Sequence, residues 1–494
     1  MKKYVLIIFS VILFTGVNAQ EDSMQLRLNL EDVIAIAREQ SPMATMARHQ
    51  FRSSYWEYRA YQASFLPALR FNSTLPDINR SIDKIVKDDG TEDFVSRSVM
   101  NSSVELEVSQ NVGLTGGNIF LNSSLQRIDN LGATDDFTYL SYPFTFGFSQ
   151  PINGYNEFKW QRKIEPAKYE EAKKELIHTL ERVSNRAVEY FFDLILAQIN
   201  LEIAKKNYAN TDTLYNIAGG RYQLGTIAEN ELLQMELSFL NAGTALNAAS
   251  IDLEVKKFRI RSFLGYNEKV DIELVVPNEI PEVSIDMGRA IQEANANNPE
   301  VLNLQRQLLE AEQNVARARS QKGLQANLFA LYGLSKNADD LGGVYVDPQD
   351  QQRLRVGFEF PILDWGLGKG KYRMAQSAED VVKTNVLQSR SDFEQQIFLQ
   401  VMQFNLQDDQ LMIASKADTI ADKRYEVTKQ RFLIGRIDVL DLNVALEEKD
   451  VARRGYVQAL RNYWDYFYGL RILTLYDWIN DMKLEEDFNE ILLR

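Results

Sequence analysis

Arg431-Phe432-Leu433-Ile434-Gly435-Arg436-Ile437-Asp438 is the stretch that decides how this chain folds. Neither Gly nor Pro interrupts residues 371–434 ahead of it. As one helix that segment is roughly 95 Å long, at about 1.5 Å per residue, whereas ordinary helices run about 11–12 residues. Beyond Gly435 a second helical stretch, interrupted only by Gly455 and Gly469, reaches about Leu473. The spacing predicts a long antiparallel hairpin over 366–473, turning at Gly435.

The same unit occurs earlier. Arg221-Tyr222 stands where Arg431-Phe432 does, Gly225 where Gly435 does, Glu231-Leu232 where Asp441-Leu442 does, and Arg261 where Arg471 does. Each pair is separated by 210 positions, and Pro151-Ile152 and Pro361-Ile362 keep the same offset. A constant offset over more than a hundred positions is an internal repeat. A first hairpin is therefore expected over 158–264, turning at Gly225. Its first arm carries Leu176, Leu180, Val183, Ala187, Tyr190 and Leu194 at alternating steps of four and three, the spacing of a coiled-coil seam. Leu233, Leu237, Leu240, Ile251, Val255 and Phe258 extend such a seam on its second arm.

The segments before the hairpins follow another period. Val104, Leu106 and Val108 alternate with Glu105, Glu107 and Ser109; Tyr142, Phe144, Phe146 and Phe148 alternate with Pro143, Thr145, Gly147 and Ser149. One apolar and one polar face at period two make a strand. Such strands suit a membrane barrel with a lipid face and a wet lumen, or a soluble sandwich with one buried face. Strands are expected within 66–152 and 324–361. A hairpin over 104–128, turning at 113–117, makes the first set larger than the second. Opening helices precede both sets, broken at Ser41-Pro42 and Asn298-Pro299, where Ser and Asn cap and Pro starts the next helix. Residues 265–286, with Pro277 and Pro281, read as a linker containing a short strand near 270–276. Residues 476–494 form a tail.

Composition narrows the function. The chain has 494 residues, 55 Lys and Arg against 69 Asp and Glu, and no Cys. A net charge of −14 argues against general nucleic-acid binding. The missing cysteine removes disulfides, thiolate chemistry and Cys-based zinc sites. His49 and His178 form no ligand cluster, and no phosphate loop or nucleophile motif occurs, so neither an enzyme nor a cofactor or metal site is expected. Residues 1–19 read as a secretory signal: Lys2-Lys3, an apolar core, then Val17-Asn18-Ala19. No later segment is apolar enough for a transmembrane helix. An exported chain of this kind enters a membrane only through a closed barrel. A coiled-coil or adhesion protein without a pore is the reading from another class.

Arg221-Tyr222-x-x-Gly225 and Arg431-Phe432-x-x-Gly435, the strand ends at Pro151-Ile152 and Pro361-Ile362, and Leu30-x-x-Val33-Ile34-x-Ile36-Ala37 together resemble the TolC family of outer-membrane efflux channels. The resemblance implies an α+β membrane protein with two repeats per chain: a trimeric outer-membrane β-barrel continued by a long periplasmic α-helical barrel. It implies a passive exit duct, for small molecules or for type I protein secretion. The duct would sit in the Gram-negative outer membrane among its lipids, joined to a periplasmic adaptor and an inner-membrane transporter. Arg221, Tyr222, Leu224, Gly225 and Thr226 would form one adaptor-binding tip. Arg431, Phe432, Ile434, Gly435, Arg436 and Ile437 would form the other. Acidic residues after the second turn would make the periplasmic gate. Asp441 falls on the first family position and Val444 on the second, with Asp438 one turn earlier.

Overall fold

The computed structural model describes residues 25–131, 135–266, 270–277, 280–281, 283–434, 436–437 and 439–493. The signal segment, Gly435 and Asp438 lie outside them. In chain order the elements are β1 (Gln25–Leu28), α1 (Leu30–Gln40), α2 (Pro42–Ala63), β2 (Ala68–Val86), β3 (Glu92–Val112), β4 (Gly117–Leu131) and β5 (Asp135–Ile152). Then come α3 (Glu157–Gln223), α4 (Glu229–Leu264), β6 (Asp271–Leu274), α5 (Met287–Asn297), α6 (Pro299–Gln321), β7 (Gln325–Ala338) and β8 (Gln349–Glu359). The last part holds α7 (Leu367–Asn405), α8 (Gln407–Leu433), α9 (Val439–Thr474), β9 (Tyr476–Asp477), β10 (Met482–Lys483) and α10 (Phe488–Leu493). The chain divides into two compact units.

One unit comprises residues 46–182, 283–406 and 466–494. It contains the sheet β2-β3-β4-β5-β7-β8, in which every neighbour is antiparallel. The first repeat gives four strands and the second gives two. Register carries one apolar face across the sheet: Phe71 pairs with Leu106, Val108 with Leu121, Leu121 with Phe146, and Phe146 with Tyr332. The other face is polar: Asn72 pairs with Glu105, Glu105 with Ser124, and Asn122 donates to Glu105 at 2.9 Å. The aromatic run of β5 is not continuous. A bulge between Ser141 and Phe144 inserts one residue, so Tyr142 pairs with Ser124 and shares the polar face with Thr145. The period-two reading placed Tyr142 with Phe144 because sequence alternation carries no mark of a bulge.

On the polar face Phe120 of β4 and Phe329 of β7 stack at 6.2 Å, with Gly147 of the intervening strand beneath Phe120. Arg355 lies over the Phe329 ring at 5.3 Å. Only a residue without Cβ leaves Phe120 that place.

The helices of this unit pack around Phe51, which is buried against Tyr169 at 6.3 Å and Phe488 at 5.3 Å. The tail reaches this core through α10, which carries Phe488. Ser41 precedes Pro42 and accepts from the Ala44 N–H at 3.1 Å; Asn298 caps α6 the same way and donates to the Leu473 carbonyl at 2.8 Å. Arg471 bonds the fully buried Glu181 at 2.8 Å and Asp477 at 3.1 Å. The helix expected to be continuous to Ile434 is instead broken at Leu406. No Gly or Pro marks the break. Beside it Asn405 accepts from the Ile285 N–H at 3.2 Å and donates to its carbonyl at 3.0 Å, a tertiary pairing that local sequence does not announce.

The other unit comprises residues 1–45, 183–282 and 407–465. Here β1 and β6 pair in parallel, so the segment read as a linker carries a strand with a distant partner. Asn29 and Asp32 form a reciprocal capping box that starts α1. Within the two hairpins the repeat keeps its geometry and changes its chemistry. In the second, Asp418 pairs with Arg453 at 3.0 Å, Asp422 with Lys449 at 3.5 Å, and Arg424 with Glu448. Of the positions 210 earlier, those matching Asp418, Lys449 and Arg453 hold Tyr208, Phe239 and Gly243, and there Tyr208 and Phe239 stack at 5.1 Å and Tyr215 lies over Phe239 at 6.0 Å. At these positions rings join the arms of the first hairpin and ions those of the second.

Gly147→Val drives a branched side chain into Phe120. The expected outcome is a loss of about 1–3 kcal/mol, the usual cost of overpacking, read as earlier heat unfolding of the sheet with unchanged helical melting. A variant whose sheet melts as wild type contradicts this packing.

Candidate docking tips and gate

The first hairpin turns through a helix-ending motif that needs Gly225. The Gly225 N–H donates to the Tyr222 carbonyl at 2.9 Å and the Thr226 N–H to the Arg221 carbonyl at 3.0 Å. These are the two bonds of a Schellman end, with Gly225 in the left-handed region at φ +69°. No atom lies near the position of a Gly225 Cβ, so only backbone strain opposes a side chain there. The Thr226 hydroxyl also donates to the Arg221 carbonyl, at 2.9 Å. In the second hairpin the Arg436 N–H donates to the Arg431 carbonyl at 3.0 Å, the same bond 210 positions on.

The two turns lie side by side. The Arg221 guanidinium sits over the Phe432 ring at 5.6 Å. Phe432 is only 5% exposed and packs with Tyr425, Leu442 and Ala445, while Leu214 of α3 closes the same cluster. Phe432 was expected on the docking surface; an aromatic ring between two helices is held in by its own area. Its place is beneath the surface, with Arg221 above it. The exposed apolar side chains are Leu224, at 80%, and Ile434, at 67%, with Tyr222 beside Leu224 in sequence. Thr226, Arg431 and Arg436 are exposed as well, and Ile437 is half-buried against the Phe432 cluster.

Asp441 lies in the first turn of α9, where the helix dipole favours a carboxylate, and is exposed. Away from the turns α3, α8 and α9 enclose a groove of about 740 Å³ lined mostly by charged side chains. Asn207 donates to Asp450 at 2.8 Å and Asn210 to the Tyr425 hydroxyl at 3.3 Å. The Lys206 hydrogen bond holds Glu202 below the usual carboxylate range, and burial raises the Tyr425 hydroxyl. Among the described residues no His, Asp and Glu cluster is arranged to hold a metal ion. No helix there is long and apolar enough to cross a membrane.

One feature escaped the sequence reading. Ile413, Ile420 and Val427 along α8, and Ile434 just beyond its end, recur every seven residues and are all exposed. So are Leu237, Ile251 and Phe258 on α4. The heptad on α8 was legible by counting; its exposure was not, because a seam inside the chain and a seam on its surface have the same spacing.

Residues 33–266 match the outer membrane efflux protein family. No curated protein matches the sequence. Among solved structures the chain is similar to the Campylobacter jejuni CmeC outer membrane channel, at 14% identity and a TM-score of 0.67, with 99% of this chain and 96% of that one covered. It is similar to the outer membrane protein VceC of Vibrio cholerae, at 14% identity and a TM-score of 0.64 over 92% of this chain and 97% of that one. The open state of the Neisseria gonorrhoeae MtrE outer membrane channel gives 14% and 0.61, over 93% and 90%. At such identities the likeness is one of fold, and that fold spans both repeats. The first repeat thus matches the outer membrane efflux protein family, and the second repeats the first at a fixed offset.

Proposed function

We propose that three copies of this chain form a passive outer-membrane exit channel of a tripartite efflux pump. The observation that carries this reading is that one chain leaves unpartnered what its sequence prepares for pairing. The sheet ends in two open edges, β2 and β8. Its apolar face, with Phe71, Leu106 and Phe146, is exposed. The heptad stripes of α4 and α8 are exposed too. Lipid covers the apolar face, a neighbouring copy pairs the edges, and α8 of one copy packs its stripe on α4 of the next. Extracted from outer membranes, the protein is expected to run as an oligomer that dissociates on heating, and to open channels in planar bilayers. A soluble monomer without conductance overturns the reading.

The hairpin turns are the proposed docking surface for the helical hairpin of a periplasmic adaptor, itself bound to an inner-membrane transporter. Leu224 and Ile434 are the apolar anchors, and Tyr222, Thr226, Arg431, Arg436 and Ile437 surround them. Arg221 and Phe432 hold the two tips together from beneath. Gly225, and Gly435 by the repeat, set the turns. Gly225→Val costs about 1–2 kcal/mol of backbone strain and is expected to abolish efflux while the oligomer still assembles. Gly225→Asn, which tolerates the left-handed region, keeps most activity. Equal activity in both variants contradicts a strained turn as the docking element.

Asp438 and Asp441 are the proposed gate. Three copies bring up to six carboxylates to the pore axis, where like charges repel and cations gather. A divalent cation offsets two carboxylates with hard oxygen ligands. Asp438→Asn combined with Asp441→Asn is expected to weaken cation selectivity and divalent block of conductance. Unchanged selectivity and block place the gate elsewhere.

A further inference from the structure

The strand count goes beyond the channel reading, and rests on it. We infer that all six strands line the barrel wall, that β2 of one copy pairs with β8 of the next, and that three copies close eighteen strands. The hairpin β2–β3 has the two faces of a wall strand. Leu69 pairs with Val108 and Phe71 with Leu106 on the apolar side; Arg70 pairs with Glu107 and Asn72 with Glu105 on the polar side. Leu69 and Phe71 are exposed. A hairpin held out of the membrane has no use for that alternation. Leaving it out of the wall also means breaking the β3–β4 ladder, fourteen register pairs from Val99 to Val112.

The two free edges fit each other. β2 leaves α2 at Ala68, and β8 runs towards α7 and ends at Glu359, so the strands are antiparallel with both of these ends on the helical side. Aligned there, Leu69 faces Phe358 and Phe71 faces Val356 on the lipid side, while Asn72 faces Arg355 and Thr74 faces Arg353 in the lumen. A slip of one residue puts every apolar side chain against a lumen position.

The seam also sets a sound barrel geometry. Inside one copy the paired row from Ala68 passes Ser109, Phe120, Gly147 and Leu331 and reaches Arg353. The aligned seam sets the next Ala68 beside Glu359, six residues further along β8 (359 − 353). Six residues of stagger over six strands, at about 3.3 Å rise and about 4.8 Å spacing, tilt the strands by about 35°. Closed barrels adopt roughly that tilt. Eighteen strands at this tilt span about 34 Å between opposite backbones, against about 22 Å for twelve, so the exit is porin-wide.

The chain has no cysteine, so cross-links report cleanly. In outer membranes Asn72→Cys with Arg355→Cys, treated with a short thiol cross-linker, is expected to give covalent dimers and trimers from more than half of the chains. Asn122→Cys with Arg355→Cys, which probes β4 against β8, is expected to give none. Cross-linking of the second pair and not the first overturns the six-strand wall in favour of a twelve-stranded barrel and leaves the channel reading standing. A heat-sensitive trimer cross-linked by neither pair overturns the seam. Failure of both pairs in a monomer that conducts no current overturns the channel reading itself.

Discussion

In hydrocarbon an unpaired backbone N–H or C=O has no water to turn to, and each costs several kcal/mol. A sheet of six strands with two open edges therefore cannot rest in a bilayer as a single chain. The same incompleteness recurs in the helices, where α8 shows Ile413, Ile420 and Val427 to solvent at heptad spacing. Strand edge and helix stripe call for the same remedy, more copies of the chain. Length follows from this constraint: long hairpins continue a duct only where neighbours close it into a tube.

The duplication explains the rest of the plan. Two hairpins at a fixed offset reproduce the same turn, down to the hydrogen bond from Thr226 to Arg221 and from Arg436 to Arg431. Divergence came in what zips each pair. Tyr208 and Phe239 hold the first by ring contact, which salt leaves alone. Asp418–Arg453 and Asp422–Lys449 hold the second by partly exposed ion pairs, each contributing up to about 1 kcal/mol and screened by salt. The two versions of the unit meet at the tip, where Arg221 covers Phe432.

Much of this was legible in the sequence because it is periodic. Seam spacing announced α3, alternation announced β3 and β5, and the offset of 210 announced the two turns together. Features that depend on a distant partner were not legible. Tyr142 changes face at a bulge, α7 ends where Asn405 meets Ile285, and β1 exists because β6 lies beside it. Phe432 looked like a surface residue because a turn exposes most of what it carries; the neighbouring hairpin covers it. Of the candidate site, the exposed Leu224 and Ile434 were readable as apolar residues at a tight turn, and Arg221 over Phe432 was not.

Imaging the detergent-solubilised particle by single-particle electron microscopy tests the central claim most directly. The account predicts a three-fold assembly in which a β-barrel opens into a helical tube, with a continuous lumen along the axis. A particle with no axial lumen, or one whose hairpins pack into a solid coiled coil, contradicts it.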